Sequence, residues 1–403
     1  MINPRNGAHV ERANRDIRGG AVLHETETET ETETETGRRA DPSTPGGHIR
    51  LGYGGATMTG LSTQPATAVR AVLERIPKVE LHLHLEGSIR PALLLQLAER
   101  NNVDIGVETV EELVTLYRFR DFRHFIELYL IGMSAIRTGD DILQAIDALA
   151  AELASQHVRY AEVTTTTYAH HANGMSTADY RDALDIGARR ARDDHRVELR
   201  WIVDIPRSVE PPTEQWTVEL LTGPHAPADV VAVGLGGPEA EYPPEWYAPS
   251  FGRAAASGLP AVLHAGEVAG PQNVWKTLEL GSVRVGHGVR SMEDPTLVVH
   301  LVQNQVPLEV SVSSNVLLGV CPSLRAHPLP AMLAAGVNIS INTDDPAYFS
   351  TTLVDEHVLV HEELDVPISD LIAAQHRAID SALCTRSLKN RLHRELSAAS
   401  ADL

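Results

Sequence analysis

Short runs of β-branched and other apolar residues alternate with longer segments rich in Ala and Leu over most of the chain. Short apolar runs are typical of buried parallel strands, and the longer segments have the apolar spacing of amphipathic helices. The pattern predicts helices that include Pro91–Arg100, Ile142–Gln156, Thr177–Asp194 and Pro295–Gln305. It predicts eight strands, at Val79–Leu85, Val158–Thr167, Val197–Ile205, Val230–Leu235, Ala261–His264, Val283–His287, Leu308–Val312 and Val337–Asn342.

Eight strands separated by helical crossovers indicate an α/β protein with a (β/α)8 fold, the TIM barrel. A doubly wound open sheet is the alternative. The first crossover, residues 91–156, is longer than one helix requires, and it contains Tyr117, Phe119, Phe122 and Phe125. We interpret it as a helical lid insertion over the mouth of the barrel, with ordinary helix–helix packing of these aromatic residues as the alternative.

Residues 1–68 differ in character from residues 69–403. A Glu-Thr repeat runs from Glu25 to Thr36, and the segments around it are rich in glycine and proline. Such a sequence has almost no apolar surface to bury and predicts a disordered, low-complexity tail. We therefore expect the barrel to occupy residues 69–403, and we hypothesise that Met58 is the true or an alternative start.

The composition restricts the partners that the chain can have. The 403 residues carry a formal net charge of −20, which disfavours nucleic-acid binding because that function needs a basic surface. No apolar stretch approaches the roughly eighteen residues of a membrane span, and no secretory signal is recognisable. Cys321 and Cys384 are too few for a disulfide framework, so the expected location is the cytoplasm.

Histidine and acidic residues recur at the carboxyl ends of the predicted strands. In a barrel these ends share one face, where such folds place their active sites. His82 and His84 lie two residues apart on a strand, so both imidazoles project to the same side. With His264 and Asp344 they form a ligand set suited to a catalytic zinc ion. The candidates in chain order are His82, His84, Gly236, Gly237, His264, Glu267, His287, Ser313, Ser314, Asn315, Asp344 and Asp345.

Four segments resemble, in order, the signature segments of the adenosine deaminase family. The resemblance extends from about Ile76 to about Asp355, which is nearly the whole globular part. It implies a zinc-dependent (β/α)8 barrel that hydrolyses the exocyclic amine of a 6-aminopurine and releases ammonia and a 6-oxopurine. The segments are Lys78–Gly87, His264–Glu267, Gly286–Gly288 and Thr343–Pro346.

The resemblance also implies a role for each matching residue. One Zn²⁺ per chain is expected on His82, His84, His264 and Asp344. The resemblance makes His287 the acceptor of the proton of the attacking water and Glu267, in its protonated form, the donor to N1 of the purine. It places Asp345 at N7, the backbone N–H of Gly237 at N3, and Glu86 at the sugar end. The expected partner is a small 6-aminopurine nucleoside, and the oligomeric state stays open.

The sequence departs from the family pattern at the sugar end of the expected pocket. Glu86 stands where adenosine-specific members commonly carry Asp and adenine deaminases commonly carry Glu. Pro238 replaces an Asp, and Ser311–Asn315 replaces the usual Cys-Pro-Thr-Ser-Asn. Segments such as Tyr160–Thr164 and Gly234–Glu239 resemble a bacterial branch that includes deaminases of 6-amino-6-deoxyfutalosine. Adenosine and 6-amino-6-deoxyfutalosine are therefore the favoured substrates, and adenine is the alternative.

Two other functions compete with purine deamination. A metal-dependent amidohydrolase acting on a non-purine amine or amide commonly has two ions bridged by a carbamylated lysine after the fourth strand. That strand ends here in glycines, and the only lysines are Lys78, Lys276 and Lys389. A non-catalytic binding protein is expected to lack a ligand or an acid, and none is missing. His170 and His171 precede Asn173-Gly174, and we expect both to be solvent-exposed rather than metal ligands.

Overall fold

A computed structural model describes residues 68–207 and 211–401 of the chain. The predicted tail and the Met58 hypothesis concern residues outside this described part, apart from Ala68, which begins a helix. Both therefore stay predictions.

Eight parallel strands form the barrel and follow one another around it in chain order. This order confirms the (β/α)8 barrel and excludes a doubly wound sheet, in which the strand order reverses part-way across the sheet. All eight predicted strands are present. Their bounds are β1 Lys78–His84, β2 Val158–Thr165, β3 Glu198–Pro206, β4 Val230–Gly236, β5 Ala261–Ala265, β6 Ser282–His287, β7 Leu308–Val310 and β8 Ile339–Ile341.

Helices connect consecutive strands. Short 3-10 helices lie at Glu86–Ser88, Pro244–Tyr247, Val289–Glu293 and Leu324–Ala326. The α-helices of the described residues are α1 Ala68–Arg75, α2 Pro91–Arg100, α3 Val110–Leu116, α4 Phe122–Ser134, α5 Gly139–Ser155, α6 Thr167–Ala172, α7 Thr177–His195, α8 Pro211–Thr222, α9 Ala248–Ala256, α10 Pro271–Glu279, α11 Pro295–Asn304, α12 Val312–Leu317, α13 Leu329–Ala334, α14 Leu353–Glu363, α15 Ile368–Ser381 and α16 Arg386–Ala399. None of these helices is long and apolar enough to cross a membrane.

The four predicted helices occur with small differences in their bounds. Helix α2 has the predicted bounds, and α5, α7 and α11 end within one residue of the prediction. Helix α5 begins three residues earlier than expected because Thr138 and Asp141 form a capping box there. In such a box each side chain bonds to the backbone N–H of the other residue, which fixes the first turn.

The first strand separates the core from the site by simple alternation. Leu81, Leu83 and Leu85 are buried among the apolar residues that pack between the barrel and its helices. His82 and His84, which alternate with them, therefore face the inside of the barrel.

The barrel closes between β8 and β1 through the segment that follows β8. The backbone N–H of Asp344 donates to the carbonyl oxygen of His82 at 3.0 Å, and the N–H of His84 donates to the carbonyl oxygen of Asp344 at 2.8 Å. Asp344 has a φ of 65°, in the left-handed region that aspartate tolerates better than most residues. The closing segment thus carries an acidic side chain at the carboxyl end of the barrel.

The long first crossover contains α2 to α5, and its aromatic residues pack against the loop after β8. The ring centroids of Tyr117 and Tyr348 are 4.4 Å apart, and those of Phe125 and Phe349 are 5.6 Å apart. Tyr129 of α4 lies with its ring centroid 6.5 Å from that of His84. The insertion therefore packs as ordinary helices do and also covers part of the carboxyl face of the barrel.

Candidate active site

The four expected metal ligands meet at one point on the carboxyl face. Nε2 of His84 lies 3.2 Å from Nε2 of His264, and Oδ1 of Asp344 lies 3.3 Å from Nε2 of His82 and 3.4 Å from Nε2 of His84. A tetrahedral zinc ion with bonds of about 2.0–2.1 Å separates its ligands by about 3.3–3.4 Å. The distances and the donor set of three imidazoles and one carboxylate therefore fit a divalent cation.

A fourth imidazole lies close to this group. His287 ends β6, and its Nε2 is 4.0 Å from Oδ2 of Asp344. Metal-binding atoms of His82, His264, His287 and Asp344 all lie within 4.8 Å of one another. The structure therefore brings together every histidine that the sequence analysis placed at a strand end.

Buried partners fix the orientation of two of the candidate ligands. Nδ1 of His82 lies 2.9 Å from Oε2 of Glu309, which also accepts a 2.5 Å hydrogen bond from Arg284 through its other oxygen. Ser314 donates its hydroxyl to Oδ2 of Asp344 at 2.7 Å. Metal-binding histidines commonly bond to a carboxylate through the second ring nitrogen, so Glu309 leaves Nε2 of His82 free to face the centre.

Burial lowers the pKa of His82, but the carboxylates of Asp344 and Glu309 outweigh it and raise the pKa to about 10. The carboxylates around this ring therefore favour a positive charge at its position. Nε2 of His82 is buried and has no hydrogen-bond partner. This combination is expected of a position that takes a cation.

Glu267 and His287 lie side by side next to the ligand cluster. Oε2 of Glu267 is 3.7 Å from Nε2 of His287. Burial, together with the charges of Asp344 and Glu239, raises the pKa of Glu267 well above its usual range. Burial lowers the pKa of His287 to about 3. At neutral pH the carboxyl group therefore keeps its proton while the imidazole is neutral, which is the pairing of a general acid with a general base.

Glu239 positions the loop that carries Glu267. Its two carboxylate oxygens accept hydrogen bonds of 2.6–3.1 Å from the backbone N–H groups of four consecutive residues, Gly266, Glu267, Val268 and Ala269. Glu239 is buried, and the sequence analysis did not single it out. Four hydrogen bonds to one carboxylate hold the backbone of this loop. Glu267 is therefore positioned by contacts of the loop backbone rather than by contacts of its own side chain.

Two more of the expected substrate contacts lie near the cluster. Burial, followed by the charge of Asp344, raises the pKa of Asp345 well above its usual range, and Oδ1 of Asp345 is buried without a hydrogen-bond partner. Gly237 follows β4 with a φ of 104°, which strongly favours glycine. The raised pKa favours the protonated, hydrogen-bond-donating form of Asp345, and the backbone conformation at Gly237 suits a glycine at the end of β4.

Glu86 is buried, and one of its oxygens is held by three donors. Oε1 accepts hydrogen bonds from Thr165 Oγ1 at 2.8 Å and from the N–H of Thr166 at 3.2 Å, and it lies 2.8 Å from Nε2 of His170. Burial raises the pKa of Glu86, but the bonds from His170 and Thr165 outweigh burial and lower it. The other oxygen, Oε2, is buried and has no hydrogen-bond partner.

The prediction that His170 is solvent-exposed is wrong. His170 is fully buried in α6, which begins directly after β2, and its ring stacks on Tyr180. Its neighbour His171 is exposed, as expected, and stacks on Trp216. Consecutive residues of an α-helix point in directions about 100° apart, so one histidine faces the barrel and the other faces away.

A further acidic side chain at this face, Asp204, was also missed. It lies near the end of β3, and burial raises its pKa to about 7. The second and third strands did not contribute to the set of strand-end candidates. The same rule applied to them identifies Asp204 directly.

Comparisons with known proteins agree with this geometry. The family model for adenosine deaminase matches residues 77–399. An aminodeoxyfutalosine deaminase from Streptomyces avermitilis is 36% identical over 336 residues, which cover 83% of this chain and 94% of the relative. An adenine deaminase from Streptomyces coelicolor is 38% identical over 290 residues, which cover 72% of this chain and 85% of the relative.

Among solved structures, an adenine deaminase from Arthrobacter aurescens resembles the chain with a TM-score of 0.78 and 32% sequence identity. The match covers 80% of this chain and 98% of that structure. The family model spans well over half of the chain and includes all the candidate site residues. The chain therefore belongs to the adenosine deaminase family, whose members are hydrolases of carbon–nitrogen bonds.

Proposed function

We propose that the protein is a zinc-dependent deaminase that replaces the 6-amino group of a purine nucleoside by oxygen and releases ammonia. One observation carries the proposal: four side chains that can bind a metal ion converge on one point, beside a carboxyl group whose pKa is raised and an imidazole whose pKa is lowered. Hydrolytic deamination needs an activated water, a base that takes its proton and an acid that protonates the ring. This arrangement has a residue for each task.

In this proposal His82, His84, His264 and Asp344 hold one Zn²⁺. A zinc ion supplies Lewis-acid chemistry and lowers the pKa of a water ligand to about 7.

Neutral His287 accepts the proton of the attacking water. Glu267 donates its proton to N1 of the purine, which withdraws electron density from C6. A positioned acid or base typically contributes about 10²–10⁴-fold to the rate.

The remaining contacts orient the purine ring. Asp345 keeps a proton because its pKa is raised, so its carboxyl group donates to the acceptor N7. The backbone N–H of Gly237, the residue that directly follows β4, donates to N3. Three donors then face the three ring nitrogens that accept hydrogen bonds in a 6-aminopurine.

The favoured substrates are adenosine and 6-amino-6-deoxyfutalosine, in line with the similarity to the relative from Streptomyces avermitilis. Adenine is the second candidate. It is supported by Glu86 and by the similarity to the adenine deaminases. A single zinc ion per chain and a cytoplasmic location belong to the same proposal.

Another metal-dependent amidohydrolase with a bridging lysine is disfavoured. The ammonium group of Lys78 donates to the carbonyl oxygens of Leu73 and Ile76, near the beginning of β1. Lys276 pairs with Glu245, and Lys389 donates to the carbonyl oxygen of Asp380. All three lysines of the chain are therefore engaged away from the ligand cluster.

The decisive experiment is a substrate panel with the zinc-loaded protein. Adenine, adenosine, 2′-deoxyadenosine, 5′-methylthioadenosine and 6-amino-6-deoxyfutalosine are scored for ammonia release. We expect at least one nucleoside to be deaminated. Absence of ammonia from every member, with a full complement of one metal ion, refutes the proposal, and two tightly held ions per chain support the rival amidohydrolase.

A further inference from the structure

Asp204 places a buried carboxylate in space that two glycines leave open. Its neighbour in the register of β3 and β4 is Gly234, and Gly236 lies two residues further along β4. A Cβ atom at Gly234 would overlap Oδ1 of Asp204, and one at Gly236 would overlap Oδ2. The carboxylate therefore lies over β4 on the same side as these missing side chains. A Cβ at Gly236 would also lie 3.9 Å from Cε1 of His264. The carboxylate of Asp204 therefore lies on the side of β4 that faces the proposed metal ligands.

One oxygen of the Asp204 carboxylate lacks a hydrogen-bond partner. The residue is only 2% exposed, and Oδ1 is buried with no hydrogen-bond partner. Buried polar atoms in folded proteins are nearly always hydrogen-bonded, so an orphaned carboxylate oxygen in a site calls for an explanation. Oε2 of Glu86 is in the same condition. Two carboxylates of the carboxyl face therefore each offer an unused acceptor.

The order of the strands shows which part of a bound purine faces these acceptors. This step rests on the proposed function, in which Glu267 after β5 contacts N1, Gly237 after β4 contacts N3, and Asp345 after β8 contacts N7. Around the purine perimeter the nitrogen atoms follow the order N1, N3, N9, N7. Around the barrel the strands follow the order β5, β4, β3, β2, β1, β8. N9 therefore points to the arc from β3 to β1, where Asp204 and Glu86 lie.

We propose that Asp204 is a substrate-binding residue that accepts a hydrogen bond from a donor on the N9 side of the purine. The donor is either the N9–H of a free base or a hydroxyl of a sugar attached to N9. Either group can donate a hydrogen bond to a carboxylate oxygen. Glu86 offers a second acceptor on the N9 side of the purine. A site that holds unpaired acceptors rejects ligands that cannot supply the donors. Asp204 thereby determines what the enzyme accepts at N9.

The test compares wild-type and Asp204→Asn enzyme, both zinc-loaded, on adenine, adenosine and 9-methyladenine. The last compound keeps the ring but has no donor at N9, and its inhibition constant replaces kcat/KM if it is not turned over. The variant keeps the shape of the side chain and removes its charge. We expect kcat/KM to fall about 10- to 100-fold for the compound whose donor Asp204 accepts, and by less than about threefold for 9-methyladenine.

The two sources of the donor give different results. A loss confined to adenine identifies N9–H, and a loss confined to adenosine identifies a sugar hydroxyl, which 2′-, 3′- and 5′-deoxyadenosine then locate. Equal losses on all three compounds, or no loss on any, overturn the role of Asp204. Failure of the wild-type enzyme to deaminate any 6-aminopurine would instead refute the proposed function itself.

Two further measurements protect the test against a folding defect. Asp141→Asn is the matched control, because Asp141 is a buried aspartate that caps α5 and contacts none of the site residues. It is expected to lower stability and to leave the ratio of kcat/KM between substrates unchanged. If Asp204→Asn does not fold, the wild type alone decides: it must bind a donor-bearing purine at least about tenfold more tightly than 9-methyladenine, and equal binding overturns the proposal.

Discussion

Nε2 of His170 lies 2.8 Å from Oε1 of Glu86, although the two residues are 84 positions apart in the chain. The contact joins the helix after β2 to the short 3-10 helix after β1. It uses one oxygen of the carboxylate and leaves the other unpartnered. His170 is thus a positioning residue for Glu86, which is one of the positions where the sequence departs from the family pattern at the sugar end.

We expect His170→Ala to raise KM more than it lowers kcat, because the histidine acts on the substrate only through Glu86. Loss of a hydrogen bond to a charged group also lowers the free energy of unfolding by about 1.5–3 kcal/mol. His171→Ala is the matched control, since that side chain is exposed. Steady-state kinetics and urea unfolding measure both effects. His170→Gln keeps a donor and is expected to restore KM; a fall in kcat alone in the alanine variant contradicts the role.

We expect Glu267→Gln to bind zinc normally and to lose about 10²–10⁴-fold in kcat, because the amide cannot donate a proton to N1. The measurements are metal content and ammonia release at saturating substrate. Glu279→Gln, an exposed change at the end of α10, is the control and is expected to leave the rate unchanged. Turnover of Glu267→Gln near that of the wild type rules out Glu267 as the acid.

His264→Ala removes one of the four proposed ligands and is expected to abolish both tight metal binding and activity. Loss of a partner outside the ligand shell already weakens metal binding about 10- to 100-fold, so loss of a ligand should weaken it further. The number of metal ions per chain is measured by mass spectrometry after dialysis. The variant His225→Ala, a change at an exposed histidine, is measured in the same way as the control. A zinc-replete, active His264→Ala variant shows that the ligand set is wrong.

Glu356 makes the stability of the barrel depend on pH. It accepts hydrogen bonds from the N–H of Ser313 and the hydroxyl of Thr351, and burial raises its pKa from 4.5 to about 7. The folded state therefore keeps a proton that the unfolded chain loses near pH 4.5. The stabilisation is complete below about pH 4.5 and is lost as the pH rises to about 7, by roughly 3 kcal/mol in all.

The variant Glu356→Gln tests this pH dependence because it cannot titrate. Urea unfolding of both proteins between pH 4.5 and 7.5 should show that the wild type loses stability relative to the variant as the pH rises. Parallel stability profiles across that window would show that Glu356 is ionised in the folded protein.

The barrel and the ligand cluster could be predicted because both follow from local pattern. Alternation on β1 directs His82 and His84 inward, and parallel strands bring the ends of β5, β6 and β8 to the same face. The limits of some elements shifted; for example, β7 stops at Val310 because Val312 already begins α12. Periodicity and topology were sufficient for this part of the molecule.

The residues that hold the site in place were harder to predict from the sequence. Glu309 is a single acid inside an apolar strand, and Glu239 acts through backbone N–H groups of another loop. The sequence around His170 predicts a polar loop, and only the start of α6 directly after β2 turns this side chain inward. Each of these interactions joins segments far apart in the chain, so no local spacing encodes them.

The closure of the barrel at Asp344 has a consequence for any experiment on this enzyme. The backbone of that residue joins the last strand to the first, while its carboxylate completes the group of four side chains. Molecules in which the backbone contacts between Asp344 and β1 are broken therefore lack a complete site. Only molecules with a closed barrel then contribute to the catalytic rate, so the rate reports the fraction of molecules in that state.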